Sequence, residues 1–194
     1  MNYLIIGSHP YSGSFNVGLT KRIINVLEEK GENVSFIDLV ADGFDPVMGE
    51  EDLKLWQEGK YKTKLVAKYL KELAKADIII LPFPVWWGTE PAILKGFFDK
   101  VFLPNHAFKY GDKGELIGLL KGKKALVVTT MEVSVEFFES QFRNPIEGAI
   151  IKNTLNACGI ELVKHFSIGG IASIGRINAD KEMDKIINYI KIEL

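Results

Sequence analysis

The chain has 194 residues, 47% hydrophobic and 25% charged, the size and balance of one α/β domain with a substantial core. Its 24 basic and 25 acidic residues leave a formal net charge of −1, so no global field draws it to nucleic acid or to an anionic membrane. The one cysteine, Cys158, excludes an intrachain disulfide and predicts a reducing compartment.

The first residues, Met1-Asn2-Tyr3, run straight into a strand with no basic region or cleavage site. No apolar run nears the ~18 residues of a membrane span. The expected location is the cytoplasm, with no membrane insertion. Residues 3–7 read as a short apolar strand, followed by a polar loop over 8–16. A helix follows to about residue 30, with Leu19, Ile23, Val26 and Leu27 on one face and Gly31 as its stop. Residues 34–39 form a second strand. The stretch 40–57 reads as irregular, with Asp45-Pro46 as a turn signal.

A second helix is expected over about 62–75, apolar at Leu65, Tyr69, Leu70 and Leu73. The run Ile78-Ile79-Ile80-Leu81 fits a third strand, buried on both faces. Two prolines, two tryptophans and a glycine then make a rigid aromatic loop. Pro91 sits where a first helical residue would, with Thr89 or Glu90 as cap. Ile93, Leu94, Phe97, Phe98 and Val101 continue as a helical stripe. Residues 104–120 read as a second irregular excursion, carrying His106, Phe108 and Tyr110.

Residues 125–130 are a fourth strand. Past Glu132 a polar and aromatic loop leads to a helix over about 145–157. Residues 160–168 are a fifth strand, and a last helix starts near Ala179. Strand and helix alternate without linker or repeat, so residues 1–194 read as a single domain. Such alternation predicts a three-layer α/β sandwich with a parallel sheet covered by helices on both faces. Five strands favour the flavodoxin-like order 2-1-3-4-5, which places a binding crevice between the carboxyl ends of strands 1 and 3. The two most unusual loops, 8–16 and 84–88, fall on its two sides.

The first loop offers Ser12, Ser14, Asn16 and the N–H groups of a helix start, which hold a phosphate without a lysine. It carries neither a Walker A nor a Gly-x-Gly-x-x-Gly pattern. The second loop offers Trp86 and Trp87 as an aromatic shelf, and its N–H groups suit the polar edge of a ring. A phosphate tail joined to a flat ring is the shape of flavin mononucleotide. The histidines His9, His106 and His165 lie far apart and accompany no cysteine cluster, so no metal site is expected.

Phe83-Pro84-Val85-Trp86-Trp87, followed by Pro91-Ala92-Ile93-Leu94-Lys95-Gly96-Phe97-Phe98-Asp99-Lys100-Val101, is a long and specific pattern. His9 and Ser14-Phe15-Asn16 accompany it, as does Ala107-Phe108-Lys109-Tyr110-Gly111. Over essentially its whole length the chain resembles the flavodoxin-fold NAD(P)H:quinone oxidoreductases, the group of DT-diaphorase. Its bacterial relatives include ancillary subunits of glutathione-gated potassium efflux systems.

The resemblance implies a flavin, FMN or FAD, and two-electron transfer from NADH or NADPH to a quinone or other small acceptor. It also implies a homodimer with active sites at the subunit interface. Among the flavins, the chain's length favours FMN. By carry-over, His9, Ser14, Phe15 and Asn16 would hold the phosphate or ribityl end, and Pro84, Val85, Trp86, Trp87 and Gly88 would line the ring. Thr129 and Thr130 keep their place in a Thr-Thr-Gly-Gly element, but Met131 and Glu132 replace its glycines and predict a narrower pocket. Phe108 and Tyr110 are expected to wall that substrate pocket. The Tyr and His that DT-diaphorase carries past this loop have no counterpart between Val133 and Gly148.

The leading expectation is a flavin-dependent NAD(P)H oxidoreductase working by a ping-pong mechanism. The alternative is a flavin-binding regulatory subunit with a potassium transporter as partner. A flavodoxin-type electron carrier fits less well, because a net charge of −1 lacks the acidic surface such carriers use. Four rings, Phe97, Phe98, Phe102 and Phe108, read as too many for one sheet face and point to an interface.

Overall fold

The computed structural model describes residues 1–194. In chain order its elements are β1 (Asn2–Gly7), α1 (Phe15–Glu29), β2 (Asn33–Asp38), α2 (Glu50–Gln57), α3 (Lys64–Lys75) and β3 (Ile78–Pro84). There follow α4 (Ala92–Val101), β4 (Phe108–Tyr110), β5 (Leu116–Gly118), β6 (Lys124–Thr130) and α5 (Val135–Phe142). A π-helix (Ile146–Asn156), β7 (Glu161–Ile168) and α6 (Arg176–Glu193) complete the chain.

The main sheet is parallel and ordered β2-β1-β3-β6-β7, which is the expected flavodoxin-like topology. Side chains alternate across it. Leu4, Ile6, Ile79, Leu81 and Val127 face a core completed by α3, α4 and the π-helix. Tyr3, Ile5, Ile80 and Leu126 face Leu19 and Ile23 of α1 and Ile186 and Ile190 of α6.

The crevice originates in β3. That strand pairs with β6 from Ile78 to Pro84, but with β1 only from Ile78 to Ile80, so β1 and β3 part beyond Ile80. The Val85 N–H donates to the Thr130 carbonyl at 2.7 Å, and alternate N–H groups before it, at Phe83 and Leu81, share that direction. Pro82 and Pro84 hold the other positions, whose N–H groups would face β1. Proline lacks that donor and is confined to places where no ladder bond is due. The two prolines occupy the open side of a central strand.

Several stretches depart from expectation. The segment read as irregular over 40–57 contains α2, none of whose residues is fully buried, with Leu55 and Trp56 half-buried. The excursion over 104–120 contains the antiparallel hairpin β4–β5. The loop past Glu132 contains α5, capped by Ser134 Oγ accepting the Phe137 N–H at 3.1 Å. The helix expected over 145–157 is wound as a π-helix, where the Thr154 hydroxyl donates to the Ala149 carbonyl five residues back at 2.8 Å. Pro91 is the N-cap of α4 rather than its first residue, and no side chain caps that helix. The last helix begins at Arg176, three residues ahead of the expected start.

The four phenylalanines form no excess patch. Phe97, Phe98 and Phe102 are buried in mutual edge-on contact, with centroids 5.2 to 6.2 Å apart, and Phe108 packs on Trp56 at 6.1 Å. Beside them the buried Lys100 donates to the carbonyls of Asp45 and Val47 at 3.1 and 2.8 Å. It thereby ties the 40–49 segment to α4. Gly96 permits the approach, since a Cβ there would lie 2.3 Å from Pro46.

Candidate functional site

Where β1 and β3 part, the loops that follow them enclose a cavity of about 150 Å³. His9, Ser14, Phe15 and Asn16 line one side, and Pro84, Val85 and Trp86 the other. Thr130, Met131 and Glu132 close the end beyond β6. Sequence reasoning named all of these and missed Ile171, which also lines the cavity. Ile171 is held there because its N–H donates to the Met131 carbonyl at 3.0 Å.

α1 points its amino end into this cavity. Ser14 caps it, with Oγ accepting the Val17 N–H at 3.2 Å, and no acidic residue sits in the first turn. The N–H groups of Phe15 and Asn16 have no acceptor within the chain. A helix end with free donors and an uncompensated dipole is a site for an anion. His9 adds a further donor. Its Nδ1 accepts the Tyr11 N–H at 3.1 Å, which leaves the proton of the neutral ring on Nε2. Burial lowers the His9 pKa from its ordinary value, which favours that neutral form.

Asn16 is buried and committed on one side. Its Nδ2 donates to Thr130 Oγ1 at 2.8 Å, which clasps α1 to the end of β6. Its Oδ1 is buried with no partner. An unpaired buried oxygen is costly, and a ligand donor would satisfy it.

Across the crevice the chain turns back at Trp86–Thr89, whose N–H and carbonyl groups exchange bonds at 2.9 and 3.2 Å. The central residues Trp87 and Gly88 have φ of 51° and 87°, the left-handed pattern of a tight hairpin turn. Glycine adopts it freely; tryptophan does so at a cost of about 1 kcal/mol or more. Nothing in the chain packs against Trp87 to offset that cost, because its side chain is fully exposed. Trp86 is 44% exposed. Neither indole is a core residue, and the N–H groups of Trp87 and Gly88 are free.

Beyond the turn a larger apolar chamber of about 770 Å³ opens. It meets the first cavity at Val85, Met131 and Glu132. Trp87, Gly88 and Thr89 form one wall, and Val133, Phe138, Phe142 and Pro145 form the other. Those last four escaped sequence reasoning. Their signal was the aromatic pair Phe137-Phe138 with Phe142 four residues on, one face of a short helix.

Some expected site residues lie elsewhere. Thr129 faces the opposite side of β6 from Thr130, fully buried, with Oγ1 against His165 Nε2 at 2.9 Å. Phe108 and Tyr110 sit on the β4–β5 hairpin, pack on each other at 5.6 Å, and line neither cavity. His106 is likewise remote, its Nε2 lying 3.0 Å from the Gly59 carbonyl. His165 is a half-buried histidine of β7, satisfied by Thr129 Oγ1, and burial lowers its pKa. Burial raises the Cys158 thiol to about 11, which leaves it inert. No group of three or more His, Cys, Asp or Glu side chains is placed to hold a metal, and no helix is long and apolar enough to cross a membrane.

A helix-end anion site opening into an aromatic and apolar chamber suits a phosphorylated planar ligand, with space above it for a second flat molecule. Residues 1–191 match a family described as having a flavodoxin-like fold. An uncharacterized NAD(P)H oxidoreductase of Haemophilus influenzae is 35% identical, over 88% of this chain and 85% of that one. The FMN-dependent NADH:quinone oxidoreductase of Pelagibacter ubique is 30% identical, over 97% and 98%. Among solved structures, Smu.1420 from Streptococcus mutans superposes with a TM-score of 0.84 at 32% identity, over 98% of this chain and 99% of that one. The chain spans 65 to 69% of several longer relatives.

Proposed function

The chain belongs to the flavodoxin-like family of NAD(P)H oxidoreductases, and from that premise we propose that it binds FMN and reduces a quinone or other small acceptor with NAD(P)H. The observation that carries this reading is the junction of the two cavities at Val85, Met131 and Glu132. An anion site and an aromatic chamber adjoin there, as one phosphorylated ring system requires.

In this reading the free N–H groups of Phe15 and Asn16, with the Ser14 loop and His9 Nε2, hold the phosphate. Asn16 Oδ1 accepts from the polyol linker. Val85, Trp86 and Trp87 line the ring, and the free N–H groups of Trp87 and Gly88 serve its polar edge. Bound flavin supplies the two-electron hydride chemistry; the chain supplies orientation, donors and a face shielded from water.

The apolar chamber, about 770 Å³ and adjoining the first cavity, is large enough for a second ring beside the first. Nicotinamide and acceptor would therefore share this chamber in turn, which would give parallel double-reciprocal lines. Phe138 and Phe142 of α5 face Trp87 across this space. The cofactor preference follows from the single phosphate-sized anion site at α1 and from the relative named as FMN-dependent.

The protein also forms a homodimer in this reading, with only the rims of two of the four expected phenylalanines at the contact. An apolar groove between α2 and α4, with Met48, Leu53 and Trp56 beside Phe98 and Phe102, is a surface for a second copy.

The deciding experiment is an absorbance spectrum of the purified protein, with mass identification of the released cofactor and a stopped-flow trace on adding NADH or NADPH. A flavin spectrum bleached by either nucleotide is expected. A colourless protein that takes up no added FMN would overturn the proposal. Flavin binding without any NAD(P)H oxidation would instead favour the regulatory role beside a potassium transporter.

A further inference from the structure

The carboxylate of Glu132 stands alone where the two cavities join. It makes no ion pair and no hydrogen bond within the chain. Its backbone is fixed on both sides. The Met131 N–H donates to the Ile168 carbonyl at 2.9 Å, and the Met131 carbonyl accepts the Ile171 N–H at 3.0 Å. The Val133 carbonyl accepts the Gly170 N–H at 3.1 Å. The charge is thus carried into the chamber on a pinned segment.

Nothing offsets that charge locally. No lysine or arginine lines either cavity. Arg143, next in sequence to Phe142 of the chamber wall, caps the carboxyl end of α5 and lines neither cavity. The other notable feature of the chamber is its three aromatic side chains, Trp87, Phe138 and Phe142, and the faces of such rings attract cations. The chain as a whole carries a net charge of only −1, so discrimination by charge at this site must be local. An unpaired carboxylate among aromatic rings complements a flat positive ligand and repels an anion.

We propose that the chamber takes a planar, delocalised organic cation as its acceptor, and that Glu132 is the residue that selects it. The proposal rests on the NAD(P)H oxidoreductase reading above and names its acceptor class. The charge suits the net reaction. A hydride, two electrons and one proton, is lost by NAD(P)H, which leaves as NAD(P)⁺, and is gained by the cation, which leaves neutral. No further proton is called for, and neither His nor Tyr lines the chamber to deliver one. A neutral quinone that gains the same hydride becomes an anion beside Glu132, which opposes the developing charge. The reduced cation has lost its attraction to Glu132 and departs more readily.

Binding is measured first, without NAD(P)H, on the protein as purified and after cofactor removal. Calorimetric titration at pH 8 uses three two-ring probes: 1-methylquinolinium, quinoline and naphthalene-1-sulfonate. The cation is expected to bind about fivefold more tightly than quinoline, the effect of one unit charge at ~4 Å in water, and the sulfonate most weakly. Raising the ionic strength from about 0.02 M to about 0.5 M should shrink the preference. Glu132→Gln should abolish it without changing the melting temperature, because the side chain is exposed and unpartnered. Glu136→Gln removes an equal charge from the face of α5 opposite Phe138 and should preserve it.

Turnover with NADH and added FMN gives the second readout. Glu132→Gln should raise the KM for the phenothiazinium cation methylene blue about fivefold, and leave that for 1,4-naphthoquinone unchanged or lower. Equal binding of the three probes, or a cation preference that survives in Glu132→Gln, would overturn the proposal. A flavin bleached by NADH in a protein indifferent to acceptor charge would overturn it too, while leaving the oxidoreductase reading intact. Cation binding through Glu132 by a protein that oxidises no NAD(P)H would instead overturn that reading, and with it the acceptor role.

Discussion

The imidazole of His9 stands edge-on to the indole of Trp86, with ring centroids 5.8 Å apart and planes at 66°. The two residues belong to the loops after β1 and β3, where the strands have ceased to pair. The contact therefore joins the two loops across the crevice without a backbone bond. It also sets the edge of an anion donor beside the start of the aromatic wall.

Histidine burial makes stability depend on pH. Burial holds His9 and His165 below the ordinary imidazole value of 6.5. A folded pKa below the unfolded one means the unfolded chain takes up protons first as pH falls. The contribution is fully present above about 6.5 and is lost as pH falls from there toward the folded values. Melting temperature should decline between pH 7.5 and 5.5, and less so in His165→Gln, which keeps a partner for Thr129. Equal declines in the two proteins would refute the assignment.

Trp87→Gly separates stability from binding. Removing a left-handed tryptophan should leave stability unchanged or raise it by about 1 kcal/mol, roughly 2–4 °C for a chain of this size. Affinity for FMN or nicotinamide should fall at the same time, by about tenfold for the loss of one stacking partner. A drop in melting temperature of several degrees would mean that Trp87 packs on the protein after all.

The anion site can be dismantled stepwise. Ser14→Ala removes the α1 cap, at a cost of about 1 kcal/mol. Asn16→Ala strands the Thr130 hydroxyl and costs about 1–3 kcal/mol. The double variant should bind flavin about tenfold or more weakly, each lost neutral hydrogen bond contributing about 1 kcal/mol. Retention of full affinity by a folded double variant, measured by fluorescence titration, would remove these residues from the phosphate site.

Met131 and Glu132 are placed to limit acceptor size in the proposed reaction. Both lie where the cavities join, and Met131 is buried at 3% exposure. Glu132→Gly, alone or with Met131→Gly, should raise kcat/KM for bulky quinones relative to small ones. The double variant should also be less stable by about 2–5 kcal/mol, through the cavity left by the methionine. An unaltered ratio of large to small acceptors would show that this loop does not limit access.

The crevice was legible because topology does much of the work. Once the apolar runs at 3–7, 78–81 and 125–130 are read as parallel strands, the order places the first and third loops together. The residues in those loops then follow. Thr129 was misplaced although its signal was present: Leu126, Val128 and Thr130 share one face of β6, and Thr129 lies on the other. α2 was illegible for a different reason. None of its residues is fully buried, and its half-buried Leu55 and Trp56 are too few to show as a stripe. α5 spans only eight residues and buries Phe138 alone, which left its aromatics looking like a loop. The path of residues 104–120 is set by distant packing of Phe108 on Trp56, and no local pattern encodes such a path.

The prolines of β3 have a consequence for how the molecule keeps to itself. A parting of two strands inside a sheet is an unpaired edge, and such edges recruit extended segments from other chains. At Pro82 and Pro84 that edge has no N–H to offer. An incoming strand would find carbonyls but no complementary donors, and could not complete a ladder. The same omission stops β1 and β3 from zipping shut in the absence of ligand. The groove is thus kept open to small molecules and closed to polypeptide by two missing hydrogens.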